Sequence, residues 1–138
     1  MTNKKFRVEF TFKGEPITKS NAHFAAWSKK HRRCIMYVPA KVKQYEKALY
    51  EYAVKAMKRK KRQPTKKLLR MKITYYYGTK RTKDLFNLPK TTADALEKAV
   101  YDNDFQIHEA HIYRKLDRKN PRVHIIVEEM SDSSWEKG

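Results

Sequence analysis

Cysteine, glycine and long apolar runs are all scarce in this chain, and each scarcity excludes a class of protein. Cys34 is the single cysteine, so the sequence excludes an internal disulfide and a zinc site with paired cysteines. A glycine-rich loop that binds phosphate is excluded as well, because the glycines are only Gly14, Gly78 and Gly138. The longest stretch without a charged residue is 20–28, nine residues, whereas a transmembrane helix needs about 20 apolar residues.

The N-terminus, MTNKKFRVEF, lacks the apolar segment of a signal peptide. Together with the single cysteine, this predicts a soluble protein in a reducing, cytoplasmic compartment.

Positive charge is what the chain has in excess. It carries 33 Lys and Arg against 15 Asp and Glu over 138 residues, a formal net charge of +18. A hydrophobic content of 40% with 12% aromatic residues favours a folded chain, and the length fits one domain. Because so much charge of one sign repels itself in a compact state, we expect a polyanionic partner. Nucleic acid is the first candidate. An anionic membrane surface is the second, but we expect no membrane partner, because the basic segment that ends at 58–62 lacks a strongly apolar opposing face of Leu, Phe and Trp.

Hydrophobic patterns along the chain predict an α+β domain with about four strands and two main helices. Alternation over 6–12 predicts a strand with one buried face. Apolar residues at helical spacing predict a helix that begins near 39–41 and ends at the basic run 58–62. The remaining elements are a second helix at about 88–99 and strands at 69–77, 105–114 and 122–129.

Two segments are less regular. The basic, aromatic-containing segment 17–33 predicts a loop, which either faces a ligand or simply lies on the surface, and 34–38 predicts a short strand. We assign the domain to 1–130 and a polar C-terminal tail to 131–138.

The aspartates are concentrated in one window of this basic chain. Four of six lie at Asp84, Asp94, Asp102 and Asp104, and 84–104 holds five acidic residues against two basic ones. Carboxylates that hold Mg²⁺ can neutralise phosphoryl charge and activate water for phosphodiester hydrolysis. Aspartates also favour turns and helix starts, which explains Asp102 and Asp104 equally well. Spacing alone leaves both interpretations open.

Helix geometry adds a polar stripe to this window. Asn87, Lys90 and Asp94 lie at i, i+3 and i+7, so they share one face of the predicted second helix. The stripe either lines a cleft or is an ordinary face exposed to solvent.

Aromatic residues and the remaining nucleophiles are weaker candidates. Phe24, Trp27 and 75–77 could stack on bases or simply pack in the core. Cys34 has no evident partners for a thiol nucleophile, and His108 and His111 point to opposite faces of a predicted strand.

Three segments of the acidic window combine into a recognisable pattern: 84–90 (DLFNLPK), 94–96 (DAL) and 100–107 (VYDNDFQI). In this combination the chain resembles the RusA family of Holliday junction resolvases, whose pattern is D-x-D-N-x-x-K, then D-A-L, then V-Y-x-D-D-x-Q-[IV]. The resemblance extends upstream, to Gly14-x-Pro16-x-x-Lys19-x-Asn21, Tyr37-Val38-Pro39 and Tyr45-Glu46. Such proteins occur largely in phages and prophages of prokaryotic cells.

The resemblance implies a small α+β endonuclease with a mixed sheet. It would act as a homodimer on branched DNA, nicking four-way junctions symmetrically with Mg²⁺ or Mn²⁺. Carried over by position, Asp84 and Asp104 are metal ligands and catalytic residues, and Lys90 is the functional lysine. Asn87 and Asp94 match the family asparagine and the helix aspartate, the latter supporting or facing the site.

The chain departs from the family pattern at two positions. Phe86 replaces the second aspartate of D-x-D-N, and Asn103 replaces the first aspartate of the D-D pair. Phe86 cannot ligate a metal, so Asp94 or Asp102 substitutes, or Mg²⁺ is held more weakly, or the protein binds junctions without cutting them. We favour retained activity, because Mg²⁺ commonly uses only one or two carboxylates plus waters.

Basic residues outside the acidic window are candidates for contacts with DNA phosphates. They come from the upstream segment, the end of the first helix and the connection after the 69–77 strand: Lys19, Arg32, Arg33, Lys58, Arg59, Lys60, Lys61, Arg62, Lys80 and Arg81. A solvated basic helix end explains 58–62 equally well.

Overall fold

The order of helices and strands confirms the α+β prediction. The computed structural model describes residues 5–17, 24–29, 32–37, 40–79 and 88–131. Within those ranges the elements are β1 (Arg7–Lys13), β2 (Phe24–Ser28), β3 (Arg33–Tyr37), α1 (Ala40–Arg59), β4 (Leu69–Tyr77), α2 (Leu88–Leu96), a 3₁₀ turn (Asp104–Gln106), β5 (Ile107–Leu116) and β6 (Arg122–Glu129).

Four strands form one mixed sheet in the order β1-β6-β4-β5. The strands β4 and β5 are parallel, while β6 is antiparallel to both β1 and β4. The parallel pairing follows from connectivity, since α2 returns the chain between β4 and β5 to the starting edge of the sheet. The mixed sheet that the sequence led us to expect is therefore confirmed.

Both helices pack on one face of this sheet. The rings of Phe12 and Tyr45 lie 5.6 Å apart and join β1 to α1. The hydroxyls of Tyr75 and Thr92 are hydrogen-bonded at 2.7 Å and join β4 to α2. Alternation places Tyr75 and Tyr77 on this face, where they are only 1% and 3% exposed. They belong to the core, so the suggestion that 75–77 stacks on bases is wrong for these two residues.

The prediction of a loop over 17–33 is wrong in part, because β2 lies within it. This strand pairs antiparallel with β3, from Phe24 opposite Tyr37 to Ser28 opposite Arg33, and the two form a separate sheet. Neither strand is long or strictly alternating, so each depends on its pairing with the other for stability. The sequence of one segment alone does not show this pairing. The predicted strand at 34–38 is confirmed as β3.

Local backbone geometry sets the ends of α1 and α2. Arg62 N–H donates to Met57 O at 2.9 Å and Lys61 N–H to Lys58 O at 3.0 Å, the two hydrogen bonds of a Schellman motif after α1. Lys61 has φ 55°, a left-handed conformation that favours glycine. The helix α2 ends at Leu96, three residues before the predicted end, and Lys98 follows with φ 72°.

The opposite face of the sheet carries an ionic ladder across all four strands. Basic and acidic side chains alternate along it, in the order His111, Glu109, Arg70, Glu128, Arg7, Glu9 and His124. The N···O distances are shortest at the two ends, 2.6 Å for His111–Glu109 and 2.7 Å for His124–Glu9. Through these contacts, the three carboxylates of the ladder are paired with basic side chains of neighbouring positions.

The two outer carboxylates of the ladder titrate abnormally. A hydrogen bond from His124, with a further contribution from Arg7, lowers the pKa of Glu9. A hydrogen bond from His111, followed by one from Arg70, lowers the pKa of Glu109. Since a lowered pKa means that the folded state favours the ionised form, these groups stabilise the fold above their unfolded pKa.

Replacing Lys61 by glycine should stabilise the protein. Glycine adopts φ 55° without the Cβ clash that a lysine has there, so we expect a gain of about 0.5–1 kcal/mol in the free energy of unfolding. Urea unfolding measures it. Lys58→Gly is the control with the same charge change, and it should lose about 1 kcal/mol because Lys58 is inside α1. A loss with Lys61→Gly would contradict the assigned end of α1.

Acid should destabilise the protein through the ladder. As pH falls below about 4.5, Glu9 and Glu109 take up protons more readily in the unfolded state, so the melting temperature should drop. Thermal unfolding followed from neutral to acidic pH measures the slope. Glu9→Gln and Glu109→Gln should each flatten that slope, whereas Glu51→Gln, on the exposed side of α1, should leave it unchanged.

Candidate functional site

Three carboxylates act electrostatically on one buried tyrosine, Tyr101, which follows the C-terminal end of α2. Tyr101 is fully buried, and its hydroxyl donates a hydrogen bond to Ala93 O at 2.5 Å. Burial raises the pKa of Tyr101, and the negative charges of Asp104, Glu97 and Asp94 raise it further, in that order. An electrostatic effect from all three means that they lie near one hydroxyl. We call Asp94, Glu97 and Asp104 the acidic cluster.

Glu97 links the end of α2 to the loop that follows. Its Oε1 accepts a hydrogen bond from Asp104 N–H at 3.3 Å. The sequence analysis counted Glu97 in the acidic window without assigning it a role. A signal was present, because Glu97 follows Asp94 by three positions, the spacing that places residues on one helix face.

Gln106 fixes the loop 102–106 in place. Its Oε1 accepts hydrogen bonds from the N–H groups of Asp102 and Asn103, at 3.0 and 2.8 Å. Its Nε2 donates to Thr65 O and Lys67 O, both at 2.9 Å. One side-chain amide therefore uses both its donors and its acceptor oxygen to fasten the loop to the segment before β4.

Asn103 caps the 3₁₀ turn that carries Asp104. Its Oδ1 accepts a hydrogen bond from Phe105 N–H at 2.9 Å, and with Gln106 it forms a capping box. An amide oxygen accepts this hydrogen bond as a carboxylate would. The departure from the D-D pattern at Asn103 is thus compatible with the local structure.

Asp102 has a different environment from the acidic cluster. Its Oδ1 lies 3.1 Å from Lys98 Nζ, and its side chain is 53% exposed. Lys98 is in the left-handed region, and its N–H donates to Tyr101 O at 2.7 Å. The described contacts thus pair Asp102 with a lysine, and they do not bring it to the Tyr101 hydroxyl.

The other candidates from the first family motif lie mostly outside the described residues. Asp84, Phe86 and Asn87 belong to 80–87, which the description does not cover, and Lys19, Lys80 and Arg81 are outside it as well. Lys90 is exposed in the first turn of α2, and Asp94 follows it by four positions on the same side of the helix.

The basic candidates at the end of α1 divide into two groups. The first group is exposed and consists of Lys58, Arg59, Lys60 and Lys61. Arg62 is half-buried, and its guanidinium carbon lies 5.2 Å from the centre of the Phe6 ring. The long side chain of Arg62 therefore packs on the core. Arg32 is exposed beside β3, which begins at Arg33.

No group of three His, Cys, Asp or Glu side chains that could hold a metal ion occurs among the residues whose placement is described. The acidic cluster nevertheless supplies carboxylate oxygens, the ligand type that Mg²⁺ and Mn²⁺ prefer.

Comparison with known proteins identifies one family. The family model of Endodeoxyribonuclease RusA matches residues 13–128, most of the chain. A search of curated proteins finds no match. Within the described ranges, no helix is both long enough and apolar enough to cross a membrane.

Removing the Gln106 amide should loosen the loop 102–106. Gln106→Ala loses four hydrogen bonds, each contributing about 0.5–1 kcal/mol, so we expect the unfolding free energy to drop by about 2–4 kcal/mol. Amide hydrogen exchange at Asp102 and Asn103 should become faster.

Gln106→Glu is the matched variant for this test. It keeps the acceptor oxygens for Asp102 and Asn103 but replaces the donor to Thr65 and Lys67 by a second acceptor. It should protect the loop amides better than alanine does, while still losing the attachment to 65–67. Unchanged exchange in both variants would contradict the proposed role of Gln106.

Proposed function

The chain belongs to the endodeoxyribonuclease RusA family, and on that basis we propose that it resolves four-way DNA junctions by paired, symmetric nicks. Members of this family cut DNA at Holliday junctions. The structural observation that supports the proposal is the acidic cluster around Tyr101, in a chain whose net charge is +18. A protein that only held DNA would have no need to gather carboxylates at one place in an otherwise basic chain.

We propose Mg²⁺, with Mn²⁺ as an alternative, as the cofactor. Asp104 and Asp94 would hold it together with Asp84, and Glu97 adds a carboxylate near Asp104. When bound, the ion supplies charge neutralisation at the phosphoryl oxygens and lowers the pKa of a coordinated water. Because Mg²⁺ keeps several waters and uses few carboxylates, the loss of one ligand at Phe86 is compatible with binding.

The side chains around the acidic cluster have separate roles. Lys90, exposed at the start of α2, would stabilise negative charge on the phosphoryl group or the leaving oxygen. Gln106 and Asn103 fix the backbone that carries Asp104, so its carboxylate is positioned before DNA binds. Asp102 and Asn87 remain candidates for supporting contacts.

Contacts with the DNA backbone would come from the basic residues outside the cluster. Lys58, Arg59, Lys60 and Lys61 form the exposed group described by the structure, and we assign the same role to Lys19, Arg32, Arg33, Arg62, Lys80 and Arg81. Two symmetric nicks in a two-fold symmetric junction require two active sites, so we propose a homodimer. We further propose that the chain acts in a prokaryotic cytoplasm and is encoded by a phage or prophage.

A second function, junction binding without cleavage, is favoured by one observation. Phe86 stands where the family pattern has an aspartate, which removes a negatively charged ligand. Such a protein would bind branched DNA with a strong salt dependence, as its charge requires, but would not cut in any divalent metal.

A nicking assay on synthetic four-way junctions distinguishes the two functions. With Mg²⁺ or Mn²⁺ we expect paired nicks, and Asp104→Asn should reduce the rate at least ~100-fold while junction binding is retained. Glu51→Gln, which also removes one negative charge, is the control and should cut normally. If the wild-type protein binds junctions but cuts with neither metal, the binding function replaces the nuclease. If Asp104→Asn cuts as fast as the wild type, the assigned site is wrong.

A further inference from the structure

The side chain of Phe105 lies in solvent directly beside the candidate site. It is 82% exposed, whereas the other exposed large hydrophobic residues in the described ranges are Tyr113 at 51%, Leu116 at 46% and Tyr50 at 37%. A phenyl ring has no polar atom for water to hydrate, so burying it against a partner would contribute favourable free energy. We infer that Phe105 stacks on an unpaired base of branched DNA, at the nucleotide next to the phosphate that Asp104 faces. This inference rests on the proposed function.

The backbone beneath Phe105 is held rigidly. Phe105 N–H donates to Asn103 Oδ1 at 2.9 Å, and the next residue, Gln106, is fastened to 65–67 by two hydrogen bonds. On the other side, Asp104 N–H donates to Glu97. An exposed ring on a flexible tip would lose much conformational freedom when it binds. Here the backbone is already ordered, which lowers that cost.

The segment fastened by Gln106 brings positive charge to the same place. Lys66 and Lys67 are both exposed, and Lys67 O accepts a hydrogen bond from Gln106 Nε2 at 2.9 Å. Proteins that bind single-stranded DNA combine a basic surface along the phosphates with aromatic rings on which bases stack. Phe105 with Lys66 and Lys67 presents this combination, and neither lysine was among the DNA contacts expected from the sequence.

The ring also distinguishes branched from continuous duplex DNA. In a duplex each base is stacked between its neighbours, and separating two stacked bases to insert an apolar side chain costs a few kcal/mol. At a branch point some bases have already lost a neighbour, so stacking on Phe105 needs less disruption. The expected effect of Phe105 is therefore selectivity for the branch.

The test compares junction binding and base stacking in EDTA, where metal-dependent cleavage is absent. The junction carries 2-aminopurine at the branch, so its emission reports stacking, and fluorescence anisotropy reports affinity. Phe105→Ala should weaken junction binding about tenfold, the scale of one base–aromatic stack, and should change the 2-aminopurine emission. Phe105→Trp should restore both, and the affinity for continuous duplex should stay the same.

Tyr113→Ala is the matched control. Tyr113 is the next most exposed aromatic residue, and it lies within β5, six positions after the first residue of that strand. It should match the wild type in affinity and emission. All variants should melt at the wild-type temperature, since the altered side chains are largely exposed.

The inference is overturned if Phe105→Ala matches the wild type in junction affinity and 2-aminopurine emission. It is overturned as well if Phe105→Ala changes only the mass measured by sedimentation, since Phe105 would then pack against a second copy of the chain. The nuclease proposal is tested separately: it fails if the wild type nicks the junction in neither Mg²⁺ nor Mn²⁺. If base stacking depends on Phe105 but the wild type does not nick the junction, the result supports the inference and favours the binding function.

Discussion

The hydrogen bonds of one side-chain amide, that of Gln106, connect the parts of the chain from which the candidate site is built. They join the loop 102–106 to the segment 65–67, which is about 40 residues earlier in sequence. Asp104, the cap Asn103 and the exposed Phe105 all lie on the loop that this amide fixes. Without it, the geometry of the proposed metal ligand and of the proposed base contact would depend on a surface loop with little burial of its own.

The electrostatic organisation of the molecule separates three tasks. The exposed end of α1 and the segment 65–67 carry positive charge, which suits a polyanionic partner. The acidic cluster gathers negative charge at Tyr101, where burial and three carboxylates act on one hydroxyl. On the face of the sheet opposite the helices, the carboxylates of Glu9, Glu109 and Glu128 are paired with basic side chains in the ionic ladder, which distinguishes them from the acidic cluster.

Periodicity predicted the elements whose pattern is long and regular. The strand β4 has its predicted bounds, α1 begins within the predicted range, and β6 also matches, because each has one face buried against the same core. The strand β2 was missed, and with it the pairing with β3, because a five-residue strand depends on its partner. The predicted end of α2 was too late because the chain turns at Lys98, which has a left-handed conformation. Glycine usually marks such a turn in a sequence, whereas a lysine gives no sign of it.

The candidate site could be predicted as a region but only partly as a set of contacts. The concentration of aspartates pointed to Asp84, Asp94, Asp102 and Asp104, and the family resemblance implied roles for Asp84, Asp104 and Lys90. The roles of Glu97 and Gln106 depend on hydrogen bonds to backbone groups, which residue types do not encode. Likewise Asp102 looked equivalent to Asp104 in sequence, and its pairing with Lys98 emerges only in three dimensions.

The position of β6 in the sheet has a consequence for synthesis of the protein on the ribosome. The last described strand lies between β1 and β4, and the first strand pairs with no other strand of the four-stranded sheet. A nascent chain that has reached only β5 can pair β4 with β5, but β1 must wait for 122–129 to emerge. Because this long-range pairing forms late, one edge of β1 and one edge of β4 stay unpaired until β6 emerges. Until then these edges can bind chaperones or associate wrongly with other chains.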